Sequence, residues 1–267
     1  IPNFRASAWI LVCSDPPDMA PSASVMTDPW VSFIIPAYNE AKLLPATLEG
    51  IAAALGPWDE PWELIVCDNG STDGTGELAQ SHGARVVHEP LRQIARSRNT
   101  GASIAQGQWL VFIDADSIPS EALLLDLKET LKADRVVGGG ATLCLDRELP
   151  AFWMMWVHAW NGISRCFRLA AGSFVYCRAE AFRDTGGFPQ DCYTGEEIWF
   201  SRKLKAWGRK NGMPFKVLSR HPLMTSARKV SLYSRGELLK TLIFSMFLYP
   251  FVRQRKGAWF MWYGGRR

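Results

Sequence analysis

Short apolar runs alternate with stretches of helical periodicity from Trp30 onward. In the first of those stretches Leu44, Leu48 and Ile51 recur at the spacing of one helix face. The predicted strands are "WVSFIIPA", "WELIVCDN", "ARVVHE" and "QWLVFIDAD", and the predicted helices between them are "EAKLLPATLEGIAAAL", "GTGELAQSHG" and "IARSRNTGASIAQG". The order βαβαβαβ predicts an α/β domain whose largely parallel sheet is covered by helices on both faces.

Polar residues cluster where three of the four predicted strands end. The first strand runs into residues 36–40, the second into residues 68–73 and the fourth into residues 114–116. Ligands of open α/β sheets bind beyond the carboxyl ends of the strands, and helix N-termini at that edge offer N–H groups to anions. We therefore expect one polar crevice that binds an anionic ligand.

Two carboxylates stand one residue apart at the end of the fourth strand. In an extended strand Asp114 and Asp116 would point to the same side and repel each other, so a positive charge is expected between them. Carboxylate oxygens suit Mg²⁺ or Mn²⁺, which protein sites often hold together with substrate phosphates. The sequence predicts a divalent metal that carries a diphosphate, whereas an isolated D-x-D would more often be a solvated turn.

Composition and charge add three points. The chain has 267 residues, 48% of them hydrophobic and 21% charged, which suits one large globular domain with or without an appendage. The six cysteines include no CxxC pair, which favours a reducing cytosol over a zinc or disulfide framework. Residues 221–267 hold nine Lys or Arg and one acid, so an acidic body precedes a basic, aromatic segment.

Five pieces of the chain carry a resemblance to a known family. They are "VSFIIPAYNEAKLLPATLEGI", "ELIVCDNGSTDGT", "IARSRNTGASIAQGQWLVFIDADS", "GGF" and "GEEIWFSRKLKAWG". In this order and at these spacings, residues 30 to about 220 resemble an inverting family 2 glycosyltransferase of the GT-A fold. The resemblance implies a three-layer α/β/α domain with a mostly parallel central sheet over residues 29–220. It implies a nucleotide-binding half at 29–118 and an acceptor-binding half at 119–220.

The resemblance also implies roles for individual positions. The nucleotide would be bound by Pro36, Ala37, Tyr38, Glu40, Asp68, Asn69, Ser71, Arg96 and Asp114. Asp116 would be the principal metal ligand, with Asp114 beside it and His221 as a further ligand.

The catalytic base would come from the acidic pair in "GEE". Glu197 is expected to be the base and Glu196 its neighbour, although many relatives carry Asp at the base position, so which acid acts stays open. A carboxylate that deprotonates the acceptor hydroxyl opposite the leaving group gives inversion in one displacement. The metal would relieve charge on the departing diphosphate.

Several of these residues have structural alternatives. Asp68 and Asp73 could cap a helix, and Arg96 and Arg98 either lie on an exposed helix face or take part in function. Glu196 and Glu197 open a helix, where acids stabilise the dipole regardless of function. A lone loop histidine such as His221 is more often structural. An aromatic stripe is more often core than ligand site, so we expect Trp153, Trp156 and Trp160 in the core, with an acceptor-side wall for sugars or isoprenoid chains as the alternative.

The two ends of the chain read differently from the body. Residues 1–28 are expected to be a disordered leader, with a secretory signal as the alternative. The 15-residue stretch "LLKTLIFSMFLYPFV" is too short to span a bilayer, and basic and aromatic residues follow it. Residues 221–267 therefore predict a basic amphipathic helical tail on the cytoplasmic face of the cell membrane. The alternative is a helix pair packed on the domain or in a homo-oligomer.

These expectations define one predicted function and its rivals. We expect an inverting glycosyltransferase that moves a sugar, preferably from UDP, to a saccharide or lipid-linked acceptor, as in cell-envelope polysaccharide synthesis. Transfer of GDP-mannose or UDP-glucose to a polyprenyl phosphate is the alternative. A nucleotidyltransferase would have a Gly-rich loop where "PAYNE" stands, and a non-catalytic sugar-nucleotide-binding module is the third reading. The acidic crevice argues against a nucleic-acid partner.

Overall fold

The computed structural model describes residues 28–192 and 195–228. In this part of the chain eight strands form one sheet in the order β3-β2-β1-β4-β7-β6-β8-β5. The strands are β1 (Val31–Ala37), β2 (Trp62–Asp68), β3 (Arg85–His88), β4 (Trp109–Ile113), β5 (Ser117–Ile118), β6 (Gly138–Leu145), β7 (Phe174–Arg178) and β8 (Phe215–Thr225). The helices are α1 (Leu44–Ala54), α2 (Thr75–Ser81), α3 (Ile94–Ser103), α4 (Glu121–Lys132), α5 (Ala151–Phe167), α6 (Ala179–Thr185) and α7 (Glu196–Lys210).

The first four strands and the helices between them lie where the sequence predicts them. β1 pairs in parallel with β2 and β4, and β2 pairs in parallel with β3. Ile34 of β1 stands between Ile65 of β2 and Phe112 of β4 in the register of this sheet. Continuous burial of such strands is the result of helices on both faces, and it confirms the α/β class.

The second half of the sheet is mixed. β7 runs antiparallel to both β4 and β6, whereas β6 and β8 are parallel. Close packing here depends on the glycines of β6, since a Cβ at Gly139 would overlap the carbonyl oxygen of Lys216 and the Tyr176 ring. The sheet is therefore mostly parallel, with its antiparallel pairings concentrated where the acceptor-binding half begins.

Two apolar cores cover the two faces of the sheet. Phe33 and Ile35 belong to one core, which includes residues of α1 and α4, and Ile34 belongs to the other, which includes residues of α3 and α7. Alternate residues of a strand point to opposite faces, so β1 contributes to both cores. This arrangement is the predicted three-layer α/β/α architecture.

The turn after β4 differs from its prediction. β4 ends at Ile113, and the Ser117 amide donates to the Asp114 carbonyl over 3.1 Å. Asp114 and Asp116 thus lie in a turn between β4 and β5 instead of on one face of a strand. The expectation that both residues stand in an extended strand is wrong, because the chain leaves the sheet before the first carboxylate.

Helix α5 also corrects a prediction. Ser164 is the buried residue among its 17 residues, whereas Phe152 and Met155 are exposed. Trp153, Trp156 and Trp160 are only half-buried and line an apolar cavity of about 230 Å³ together with Leu143, Leu145, Leu149 and Val157. The aromatic stripe is not core, because β6 and its loop cover only one side of the helix.

The predictions for the two ends fall largely outside the described residues. The expected leader, apart from residue 28, and residues 229–267 of the expected tail lie outside them. β8 continues through Thr225, so this strand crosses the domain boundary predicted at residue 220. No helix within residues 28–192 and 195–228 is both long and apolar enough to cross a bilayer.

Candidate active site

The centre of the site is the buried guanidinium of Arg98 on α3. Its Nη1 donates to Glu196 Oε1 over 2.6 Å, and its Nη2 donates to Asp114 Oδ1 over 2.9 Å and to the Gly172 carbonyl over 2.7 Å. Its side chain is 1% exposed. Arg98 therefore joins the end of β4, the loop before β7 and the start of α7, and the alternative of an exposed helix face is wrong for this residue.

Direct pairing with two carboxyl groups keeps Arg98 charged. Burial disfavours the charged form of Arg98, but Asp114 and Glu196 more than offset it and raise its pKa. Arg98 thus stays protonated in the folded protein. The positive charge expected beside Asp114 is supplied by a side chain of the protein itself.

The acidic pair begins helix α7. Burial raises the pKa of Glu196 and that of Glu197, which rises to about 8 with a further contribution from the neighbouring Glu196. Glu196 is buried and accepts a hydrogen bond from Arg98, whereas Glu197 is half-buried. A Cβ placed on Gly172 would lie 3.5 Å from both Arg98 Nη2 and Glu197 Cδ, so the second carboxyl group lies beside the same cluster.

Asp116 faces a different arginine. Its Oδ2 lies 4.0 Å from Nη2 of Arg228, and its carbonyl accepts from the Ser226 amide over 3.1 Å. The same Nη2 donates to both carboxylate oxygens of Glu40, over 2.9 Å and 3.0 Å. Arg228 therefore joins the loop after β1 to the turn that carries Asp116.

Sequence reasoning placed Arg228 in the basic C-terminal segment and missed its position in the site. It is 188 positions from Glu40, and its local sequence resembles no binding motif. The available signal was its place shortly after the last strand, at the edge of the sheet where polar residues collect.

Hydrogen bonds connect the loops after β1 and β2. Asp68 Oδ1 accepts from the Ser71 amide over 2.9 Å, and Ser71 Oγ accepts from the Asn39 amide over 2.9 Å. Asp68 Oδ2 also lies 3.3 Å from His88 Nδ1. Helix α2 has Gly74 as its N-cap, without a side-chain cap, so Asp68 organises the loop and does not cap this helix.

Asp73 also connects the loops after β1 and β2. Its Oδ1 accepts from the Thr75 amide over 3.1 Å and its Oδ2 from the Ala41 amide over 3.1 Å. Although burial acts against it, the Thr75 hydroxyl and these amides lower the pKa of Asp73. The residue fixes the start of α2 against the loop after β1.

Tyr38 is paired with a residue that the sequence did not single out. The Arg92 guanidinium lies 3.9 Å from the centroid of the Tyr38 ring, which is a cation–π contact. Pro36 and Ala37 precede this ring in β1, in register with Cys67 and Asp68. Three of the predicted nucleotide residues thus lie together at the carboxyl end of the sheet.

Asn69 and Arg96 face the loop between β3 and α3. The Asn69 amide donates to the carbonyls of Glu89 and Leu91, and its oxygen accepts from the Gln93 amide. Arg96 contacts Glu89 at 3.5 Å and Gln190 at 2.9 Å. Arg96 and Arg98 are two positions apart, which is a rotation of about 200° around the helix axis. Arg96 therefore points away from the side of α3 that carries the buried Arg98.

His221 is not brought to the aspartates. Its Nδ1 lies 3.0 Å from Asp126 Oδ2 on α4. It lies on β8 against α4, four residues before Thr225, the partner of Ser117. The structure corrects its predicted place among the metal ligands.

The two aspartates still offer a fitting donor set for a metal. No group of three or more metal-ligating side chains is preassembled in the described part of the chain. Mg²⁺ is commonly held by one or two carboxylates together with substrate phosphates and water. Asp114 and Asp116 supply hard oxygen ligands of this kind at the crevice.

Comparison with known proteins identifies the fold and the family. The mannosyltransferase PcManGT from Pyrobaculum calidifontis, solved in complex with GDP-Man and Mn²⁺, has a TM-score of 0.56 and 22% identity across 85% of this chain and 63% of its own. This likeness shows the GT-A glycosyltransferase fold. A family model described as "Glycosyl transferase family 2" matches residues 32–185, and the chain belongs to that family.

Two curated relatives agree with this assignment. Glycosyltransferase AglE of Haloferax volcanii is 27% identical over 228 residues, which are 80% of this chain and 71% of AglE. WfgD of Escherichia coli, a UDP-Glc:alpha-D-GlcNAc-diphosphoundecaprenol beta-1,3-glucosyltransferase, is 34% identical over 97 residues, 35% of this chain and 37% of WfgD. The chain therefore spans most of one relative and little more than a third of the other.

Proposed function

We propose that this glycosyltransferase is an inverting enzyme that moves a sugar from a nucleotide-diphosphate donor to an acceptor hydroxyl. The observation that carries the proposal is the acidic pair at the start of α7, which Arg98 joins to Asp114 at the carboxyl end of β4. This connection brings a candidate base into one cluster with a candidate ligand for the donor.

Glu197 is the proposed base. Its pKa of about 8 suits a group that accepts a proton near neutral pH, and its partial exposure leaves it accessible to an acceptor. As the acceptor oxygen attacks the anomeric carbon, its proton passes to Glu197 and the bond from that carbon to the diphosphate oxygen breaks. Attack opposite the leaving group inverts the anomeric carbon.

Glu196 has a positioning role in this proposal. It is held by Arg98 and raises the pKa of Glu197 through its charge. Arg98 in turn holds Asp114 in place at the donor edge. Pro36, Ala37, Tyr38, Glu40, Asp68 and Ser71 form the proposed nucleotide wall, with Asn69 and Arg96 supporting the adjacent loop.

A divalent metal fits the two aspartates. Bound Mg²⁺ or Mn²⁺ would supply charge neutralisation at the departing diphosphate, and Asp114 and Asp116 would hold it. The Mn²⁺ in the PcManGT complex supports a metal in this family of folds.

The relatives support the proposed donor and acceptor classes. WfgD uses UDP-Glc and a diphosphoundecaprenol-linked sugar, which supports a UDP-sugar and a lipid-linked acceptor, while the GDP-Man of PcManGT supports GDP-mannose as the alternative donor. A role in cell-envelope polysaccharide and contact of residues 221–267 with the cytoplasmic face of the membrane accompany this proposal.

Calorimetric titration of UDP and of GDP, each with and without Mn²⁺, tests the donor half. We expect Mn²⁺-dependent binding of UDP that Asp116→Ala abolishes, with Asp126→Ala, the partner of His221, as the matched control. Metal-dependent binding of GDP alone would change the donor to a GDP-sugar. Absence of both would contradict the proposal.

A further inference from the structure

We propose that helix α5 docks on the surface of an anionic lipid bilayer. The docking face comprises the exposed side of α5 and a basic cluster around its C-terminal end. This inference goes beyond the transferase activity and concerns residues of the described domain, not residues 229–267.

The exposed residues of α5 form one stripe. They recur at intervals of three and four positions, which places them on one side of the helix: Ala151, Phe152, Met155, His158, Ala159, Gly162, Arg165 and Cys166. The helix contains no acidic residue. Phe152 is 46% exposed and Met155 is 55% exposed, so large apolar side chains extend into solvent where a soluble helix normally has charges.

Positive charge collects where the helix ends. Phe167, which is 62% exposed, stands between Arg165 and Arg168 in the chain, and its carbonyl accepts from Lys205 Nζ over 2.9 Å. The pKa of Lys205 is lowered by burial and by repulsion from nearby arginines: Arg202, Arg209 and Arg168. These five residues form the basic cluster: Arg165, Arg168, Arg202, Lys205 and Arg209. Within residues 28–192 and 195–228, none of them forms an ion pair.

A cavity lies against the basic cluster. Its volume is about 390 Å³, and Arg165, Arg168 and Lys216 contribute to its lining. The Lys216 ammonium donates to Thr130 Oγ1 over 3.0 Å, so Arg165 and Arg168 are the cations that this cavity offers to a ligand. Two guanidinium groups suit a phosphate-bearing headgroup, since phosphate oxygens accept charge-assisted hydrogen bonds. The apolar stripe and the cationic cavity thus occupy neighbouring parts of the same surface.

Charge complementarity selects the partner. A nucleic-acid duplex would use the basic cluster but not the exposed Phe152, Met155 and Phe167, because its outer surface is the charged phosphate backbone. An anionic bilayer uses both features, because rings and thioethers enter the interface while arginines meet the headgroups. Exposed apolar residues along a helix that ends among unneutralised cations are typical of interfacial helices, and on this ground we commit to an anionic membrane.

Vesicle co-sedimentation of the full chain tests the inference. We compare vesicles of phosphatidylglycerol and phosphatidylcholine with vesicles of phosphatidylcholine alone. Binding is expected to the anionic vesicles and to weaken with salt. Arg165→Ala/Arg168→Ala should reduce it about thirtyfold, since each basic residue near an anionic surface contributes roughly fivefold. Phe152→Glu/Met155→Glu should reduce it at least as much.

The matched control removes the same charge elsewhere. Arg85 and Lys132 lie on β3 and α4 and pair with Glu63 and Glu60. Arg85→Ala/Lys132→Ala should bind vesicles nearly as the parent does. Equal losses in this control and in Arg165→Ala/Arg168→Ala would show a general charge effect and overturn the inference.

A probe on Cys166 separates this face from the C-terminal segment. Cys166 is exposed, whereas the other described cysteines are buried or half-buried. With Cys13 replaced by Ser, an environment-sensitive dye on Cys166 should shift to the blue on anionic vesicles. Vesicle binding without a shift would assign the contact to residues 229–267. A Cys166 that resists labelling, or a shift caused by self-association without lipid, would show another occupant. Each of these results overturns the inference.

Discussion

Arg98 donates a hydrogen bond to Glu196 over 2.6 Å, although 98 positions separate the two residues. The bond joins α3 in the predicted nucleotide-binding half to α7 in the predicted acceptor-binding half. Because Arg98 also donates to Asp114, one side chain connects the carboxyl end of β4 to the acidic pair of α7.

Removal of the buried arginine should destabilise the fold. Arg98→Met leaves Asp114 and Glu196 without their cation, and we expect the free energy of unfolding to fall by about 3–5 kcal/mol. Arg96→Met is the matched control on the same helix, where the arginine is partly exposed and its loss should cost less than about 1 kcal/mol. Urea unfolding measures both, and equal losses would contradict the buried-pair account.

Replacement of the proposed base should affect turnover more than donor binding. We expect Glu197→Gln to lower kcat by about 10²- to 10⁴-fold, the contribution of general-base catalysis, with UDP affinity nearly retained. Glu180→Gln, at an exposed position early in α6, is the control. The comparison uses release of UDP and calorimetry, and unchanged kcat in Glu197→Gln would exclude this residue as the base.

Activity should rise with pH through about 8. Glu197 must lose its proton to act as the base, and its pKa in the folded protein is about 8, so kcat/KM should increase across this range. Glu196→Gln removes the neighbouring charge that raises this pKa, and the rise should move to lower pH. A pH profile of kcat/KM for both proteins checks this, and a profile unchanged by the substitution would exclude the coupling.

The same pKa has the opposite effect on stability. The unfolded carboxyl has its ordinary value of 4.5, so between pH 4.5 and about 8 the folded state binds the extra proton. The free energy of unfolding should therefore fall as pH rises through this window. Urea unfolding across the window should show a shallower decline in Glu197→Gln than in the parent, and identical slopes would contradict the assignment.

Loss of Arg228 should strengthen metal binding. Its guanidinium lies 4.0 Å from the Asp116 carboxylate, and its positive charge disfavours a metal ion bound to that carboxylate. We expect Arg228→Met to raise the affinity for Mn²⁺ about fivefold, as a partly exposed charge pair contributes up to about 1 kcal/mol. Arg220→Met is the control, because Arg220 is largely exposed and pairs with Asp126, outside the proposed metal site. Weaker Mn²⁺ binding in Arg228→Met would instead make this arginine a support of the metal site.

Two glycines should respond to alanine in opposite directions. Gly139→Ala forces a Cβ into the carbonyl oxygen of Lys216 and should destabilise by about 3 kcal/mol or more. Gly162 lies on α5 with no atom near its added Cβ, so Gly162→Ala should stabilise by up to about 1 kcal/mol. Thermal unfolding of both proteins measures the contrast.

The sequence by itself determined the order of elements and the place of the acids. Hydrophobic periodicity is a local property, so it located β1 to β4 and the helices between them, and it placed residues 36–40, 68–73 and 114–116 at one edge of the sheet. Which side chains meet there is a property of packing. The orientation of α3 about its axis directs Arg98, and not Arg96, to the acidic pair. The path of β8 brings Arg228 to Glu40, which is 188 positions away in the chain. The exposure of α5 was likewise decided by tertiary structure, because an apolar helix becomes core only where another element covers it.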